Sequence, residues 1–295
     1  MDAYVLKKGD TLTCSIEDYP EGIIIPIDKP YRWTSADVIR KVKWAACRHF
    51  GKKNLKVGHA GTLDPLATGV LLVCVGKATK LAETLQKHDK EYIAGITFGA
   101  TTPSYDREKE IDREYPVDGV SCESLEAVLP SFVGEQEQVA PLFSAKSVDG
   151  VRAYEMARKA YKASLSGNGS FDHSAAGLLS KQQIRITEMS LLSYGEPVAD
   201  ACPPGADSLN RFNGRINVID ISSLDLPHAD IRVGCTKGTY IRALARDLGE
   251  ALGSGAFLHS LRRTCTGNFR VEDALQVDEV MDILLQPQPH TQCTL

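Results

Sequence analysis

Between Val57 and Gly69 the chain reads Val-Gly-His-Ala-Gly-Thr-Leu-Asp-Pro-Leu-Ala-Thr-Gly, the segment around which the rest of the sequence is organised. Gly58, Gly61 and Gly69 punctuate it as a loop, and within that loop stand one His and one Asp. No acidic residue lies between Asp37 and Asp64, whereas Arg40, Lys41, Lys43, Arg48, Lys52, Lys53 and Lys56 fill the same interval. A solitary carboxylate at the end of a basic run suits an acid that works beside bound phosphates. The same residues also permit a purely structural role. Asp is a favoured helix N-cap and Pro is favoured one position later. Asp64-Pro65 ahead of Leu66, Ala67, Val70 and Leu71 can therefore equally open a helix.

Composition narrows the surroundings. At 295 residues the chain holds one large domain or two ordinary ones, and with 43% hydrophobic and 24% charged residues it reads as globular. No apolar run approaches the roughly 20 residues of a membrane span, and Met1 to Asp10 lacks a signal-peptide core, so a cytoplasmic location is expected. The eight cysteines stand too far apart for a Cys-x-x-Cys pair or a zinc-ligand spacing, and the histidines show no paired helical spacing. No metal is expected. The net charge of −4 hides a segregation: residues 38–63 carry only basic charges, while 106–137 are strongly acidic. One basic face can bind a polyanion in a protein that is acidic in total.

Along the chain, residues 1–21 read as an extended arm. Gly22 to Ile27 predicts a buried strand, and Thr34 caps a helix whose apolar face is Val38, Val42, Ala45 and Ala46, with Gly51 at its end. Val70–Val75 reads as a buried strand, Ala78–Leu85 as a short helix and Tyr92–Phe98 as a strand. Helices follow near 123–131 and at 153–162, the latter with a second basic cluster of Arg152, Arg158, Lys159 and Lys162. Strands are expected near 184–194, 216–222 and 231–235, and surface insertions at 164–180 and 200–214. Thr239 caps a helix that places Arg242 in its first turn, where a cation opposes the helix dipole and calls for a carboxylate or phosphate. Phe257 to Leu295 adds Leu261-Arg262-Arg263, a short acidic helix and a polar tail over 286–295.

Taken together these segments resemble the TruB-type tRNA pseudouridine synthases. The resemblance rests on Lys29-Pro30 with Thr34-Ser35, the stretch from Gly58 to Gly69, Gly76-Lys77-Ala78-Thr79-Lys80 and Asp89-Lys90-Glu91-Tyr92. It continues through Gly99 to Asp106, Ser144-Ala145-Lys146, Lys237 to Arg242 and Leu261-Arg262-Arg263, in matching order and spacing over residues 22–285.

The resemblance implies an α+β pseudouridine synthase fold: a mixed, largely antiparallel sheet with flanking helices and a central RNA-binding cleft. One catalytic domain over 22–285 is implied. The activity implied is conversion of uridine to pseudouridine in the T arm of tRNA, at position 55, with no cofactor. The implied partner is tRNA, with no membrane and no obligate protein partner. By position Asp64 is the catalytic carboxylate, Arg242 the guanidinium that pairs with it and Tyr92 the aromatic that stacks on the flipped base. His59 matches the residue that fills the vacated space, Leu261 a pocket wall, and Lys29, Tyr240 and Asp106 supporting positions.

Arg32 stands where the family usually has Gly, and the 164–180 insertion falls where the family carries an RNA-clasping loop. Too few residues follow Gly267-Asn268-Phe269 for the C-terminal PUA domain of many members, so a form without one is expected. Two other readings stand beside this one: a guide-RNA-dependent synthase, and a tRNA-binding or tRNA-folding protein without catalysis.

Overall fold

The computed structural model describes residues 2–144, 146–148, 151–166, 171, 181–195 and 216–286. The 200–214 insertion, most of the 164–180 insertion and the tail from 287 lie outside the described residues. The chain forms two compact units, Met1–His88 with Arg263–Leu295, and Asp89–Arg262.

In chain order the first unit contains β1 (Tyr4–Val5), β2 (Ile23–Lys29), α1 (Ser35–His49), β3 (Val57–Ala60), β4 (Ala67–Val75) and α2 (Ala82–Gln86). The second contains β5 (Lys90–Phe98), β6 (Ala100–Thr101), β7 (Arg113–Glu114), α3 (Cys122–Val128), β8 (Gly134–Val139), β9 (Ser147–Val148), β10 (Val151–Arg152), α4 (Ala153–Ser166), β11 (Lys181–Tyr194), β12 (His228–Cys235) and α5 (Ile241–Ala251). β13 (Ala256–Thr266) crosses from the second unit into the first, which β14 (Phe269–Arg270) and α6 (Val277–Leu285) complete. The result is a mixed α/β protein with largely antiparallel strands.

In the first unit β4 is buried along its whole length, which its unbroken run Val70-Leu71-Leu72-Val73-Cys74-Val75 demands. It pairs antiparallel with β2 on one side, Ile25 facing Val73, and with β3 on the other, His59 facing Val73. Pro26 sits inside β2 without harm. Its carbonyl accepts from Leu275 N at 2.9 Å, along the flank of β2 that lies beyond the end of β1. The expected arm at 1–21 is packed rather than free: β1 pairs in parallel with Ile23 and Ile24, and Leu6 and Leu12 are buried.

Helix α1 begins as the sequence requires. The Thr34 hydroxyl accepts from Asp37 N, and the Asp37 carboxylate accepts from Thr34 N. Gly51 follows its last turn with φ +62°, the left-handed residue expected there. α1 packs on α6, and His49 bridges outward, its ring nitrogens 3.0 Å from Leu284 O and Thr13 O.

In the second unit β5, β12, β11 and β8 pair in that order, all antiparallel. Bulges in the β11–β12 ladder interrupt its register between Ile186 and Glu188 and between Leu191 and Ser193.

Three expectations are corrected. Asp64-Pro65 opens no helix: Ala67 N donates to Asp64 O at 3.1 Å, and this turn feeds straight into β4. Pro is as well suited to the second position of a β-turn as to the first of a helix, so the dipeptide alone was ambiguous. Residues 216–222 form no strand. Instead Ile219 is held through its backbone, its N donating to Arg107 O and its carbonyl accepting from the Arg107 guanidinium. Thr239 does not cap α5, because its hydroxyl donates to Thr236 O and Tyr240 occupies the cap position. Among the described residues no helix is long and apolar enough to cross a membrane.

Candidate active site

The loop from Gly61 to Leu66 is short of secondary structure, so its shape has to come from side chains that reach it. Ser35, the first residue of α1, both donates to Leu63 O at 3.1 Å and accepts from Leu63 N at 3.0 Å. Lys29, fully buried at the end of β2, donates to Pro65 O at 3.2 Å, to Pro30 O at 2.9 Å and to Trp33 O at 2.6 Å. Ser35 therefore fixes the residue before Asp64 and Lys29 the residue after it. Asp64 itself is only half-buried.

Arg263 closes the loop from β13. Its Nε donates to Val70 O at 2.7 Å and its guanidinium also reaches Gly61 O at 3.3 Å, so one buried cation ties the two ends together. Gly69 has φ +99°, and a Cβ there would collide with the Arg263 backbone. Glycine is required for both reasons.

Burial depresses the pKa of Lys29 to about 7, with the nearby Asp64 carboxylate opposing that shift and Arg263 adding to it. His59, on β3, is shifted down by burial and then by Arg263, and its Nδ1 is buried without a hydrogen-bond partner. Both effects favour a neutral imidazole.

The remaining predicted residues belong to the second unit. Tyr92 is a buried ring on β5, opposite Val233 of β12. Arg242 is buried in the first turn of α5, and its misfit with the helix dipole is resolved inside its own unit. It donates to Ser104 O and Phe143 O, both at 3.0 Å, and its Nε lies 3.7 Å from the Asp106 carboxylate. Asp106 in turn accepts from the Ser104 hydroxyl at 2.6 Å and from Glu108 N at 2.9 Å, which holds the 102–108 loop around the guanidinium. Tyr240 is clamped by Gln138, which accepts from its N at 2.8 Å and donates to its O at 3.1 Å. Leu261 is half-buried on β13.

The geometry thus brings Lys29 to the Asp64 loop and Asp106 to Arg242. Sequence reasoning assigned no role to Ser35, Arg263, Ser104 or Gln138. Ser35 and Arg263 lay inside quoted motifs, but nothing local tells that a side chain far along the chain ends at the Asp64 loop.

Comparison with known proteins meets this site at its centre. Residues 48–200 match the TruB family pseudouridylate synthase (N terminal domain), and residues 242–292 match the tRNA pseudouridylate synthase B C-terminal domain. The tRNA pseudouridine synthase B of Phocaeicola vulgatus is 43% identical over 271 residues, covering 92% of this chain and 97% of that protein.

The chain belongs to the TruB family.

A more distant TruB relative, the tRNA pseudouridine synthase B of Thermus thermophilus, is 39% identical over 257 residues, covering 86% of this chain and 76% of that protein. Among solved structures, a chain of a Cbf5-Nop10-Gar1 complex superposes with a TM-score of 0.57 at 23% identity. The match covers 96% of this TruB chain and 64% of the other, and at that identity it speaks for the fold.

Proposed function

We propose that this protein isomerises uridine to pseudouridine in the T arm of tRNA, at position 55, with Asp64 as the catalytic carboxylate. The observation that carries the reading is the 43% identity to a tRNA pseudouridine synthase B along nearly the full length of both chains, together with a loop whose side-chain clasps leave Asp64 half-exposed.

In this reaction the N1–C1′ bond of the uridine breaks, the uracil turns over, and a C5–C1′ bond forms. The proton lost from C5 is matched by one gained at N1, so product and substrate are isomers and no donor or oxidant is consumed. Asp64 serves either by attacking the sugar or the base or by taking a proton from the ribose. A target uridine inside a folded arm must leave its stack first. Tyr92 then stacks on the flipped base, neutral His59 occupies the space it leaves, and Leu261 walls the pocket. Arg242 pairs with the Asp64 carboxylate, and Asp106, Tyr240 and Lys29 hold these groups in place. The protein acts in the cytoplasm, without guide RNA or obligate protein partner.

One assay tests the reading: purified protein with unmodified tRNA transcript and nothing else, pseudouridine being scored at each position. Product at position 55 alone is expected. Asp64→Asn, which preserves size and hydrogen bonding, should bind tRNA normally and lose turnover by at least about three orders of magnitude, in the range of a deleted nucleophile or base. Robust turnover by that variant would remove Asp64 from the chemistry. Product only with added guide RNA would favour the guide-dependent reading, and tight binding without product the non-catalytic one.

A further inference from the structure

Two features of α1 are left over once its core face and the Asp64 loop are accounted for. The first is Trp44. Val38, Val42, Ala45 and Ala46 point into the core, whereas Trp44 points out and keeps 53% of its surface in water. Large apolar rings are ordinarily buried, and exposed ones mark contact surfaces when other features agree. The Arg48 guanidinium, one turn further on, lies 5.1 Å from the Trp44 ring centroid, a cation–π pair already assembled at the surface.

The second feature is uncompensated charge along the same stretch of chain. Arg40 pairs with Asp37, Lys41 with Asp278 and Lys52 with Glu17. Among the described residues no carboxylate pairs with Lys43, Lys53 or Lys56. Lys43 adjoins Trp44 in sequence, and the chain after α1 folds back on its last turn so that Lys53 O accepts from Cys47 Sγ at 3.7 Å. An exposed aromatic face with a cation on it thus lies in a stretch of chain that carries free cations before and after it. Phosphate attraction alone needs no ring, and a ring alone needs no cations. The two together fit a nucleic-acid strand that carries an unstacked base, since every base has a π-face and brings flanking phosphates.

We propose that Trp44 and Arg48 form a stacking platform for an unpaired base of the tRNA substrate other than the reacting uridine, with Lys43, Lys53 and Lys56 meeting the neighbouring phosphates. The proposal rests on tRNA as the bound polyanion. The experiment separates that premise from the platform, because binding and turnover are read independently.

The chain contains two tryptophans, so Trp33→Phe leaves Trp44 as the only tryptophan reporter. In that background saturating tRNA should quench the Trp44 emission and reduce its accessibility to acrylamide by about two-fold or more, as stacking removes one face from water. Emission and accessibility unchanged by bound tRNA would overturn the platform. In otherwise wild-type protein, Trp44→Ala should raise the KM for tRNA by about five-fold or more while lowering kcat far less, and Trp44→Phe should retain most of the affinity. Trp44→Lys removes the ring but adds a cation. It should bind as weakly as Trp44→Ala, and wild-type affinity in that variant would show that attraction without stacking suffices. Quenching by an acidic protein or an anionic vesicle but not by tRNA would assign the surface to a different partner and also overturn the proposal.

Discussion

Arg32 tests at a single residue how far local backbone rules bind this chain. It follows Lys29-Pro30 in the turn before α1 and has φ +62°, a conformation natural to glycine. An L-residue pays about 1–2 kcal/mol to stay there. The sequence placed Arg where the family usually has Gly, and the structure keeps the left-handed turn regardless. The turn therefore persists because its surroundings over-determine it: Trp33 O is a hydrogen-bond acceptor for Lys29, and Thr34 must stand ready to cap α1. Arg32→Gly is expected to hold stability or raise it by no more than about 1 kcal/mol, because the strain relieved is offset by the greater freedom of glycine in the unfolded chain. Arg32→Val, β-branched and still worse suited to positive φ, should lower stability by about 2 kcal/mol. Urea midpoints of the two variants measure the difference, and equal midpoints would mean that the turn can rearrange at no cost.

At the scale of elements, the start of β4 explains both what the sequence disclosed and what it withheld. The body of the strand was legible because Val70–Val75 is an unbroken apolar run, six of the nine residues that β4 buries. Its first residues were not, because Asp-Pro-Leu-Ala satisfies the local chemistry of a helix start and of a β-turn alike, and only pairing with β2 and β3 decides between them. The same holds for α5: its apolar face was plain, while its cap fell to Tyr240 through the distant Gln138 and not to the adjacent Thr239. The catalytic candidates Asp64, Tyr92 and Arg242 were accessible through motif order. The clasps Ser35 and Arg263 were not, since they act across long stretches of chain. Gly69 shows how tightly β4 is bound to its clasp. Alanine there combines a positive φ with a collision against the Arg263 backbone, neither of which a side-chain rotation can relieve. Gly69→Ala should cost about 3 kcal/mol. It should also slow turnover among the molecules that remain folded, because the displaced strand carries the Asp64 turn with it. A variant of unchanged stability and activity would refute the close approach.

For the whole molecule, charge works on two different lengths. The surface run on α1 and the loop after it is a matter of attraction and salt, legible from the sequence as an interval without acids. Buried titratable groups instead set how stability depends on pH, and only the fold reveals them. Below neutral pH, His259 on β13 is the case to test. Its Nδ1 lies 3.1 Å from the Thr97 hydroxyl, its ring meets His228 edge-on at 5.9 Å, and Arg107 bears on it as well. Burial, reinforced by His228 and Arg107, depresses its pKa from 6.5 to about 4. The unfolded chain therefore binds a proton that the folded chain refuses between these values. Its contribution favours the native state above pH 6.5 and is lost progressively as pH falls toward 4, by at most about 3 kcal/mol. His259→Gln, which can still meet Thr97 but cannot titrate, should flatten the fall in unfolding free energy across that window while leaving the slope below pH 4 to the carboxylates. Chemical denaturation of both proteins at half-unit pH steps measures it, and superimposable profiles between pH 4 and 6.5 would show that His259 takes up its proton in the folded protein as readily as in the unfolded one.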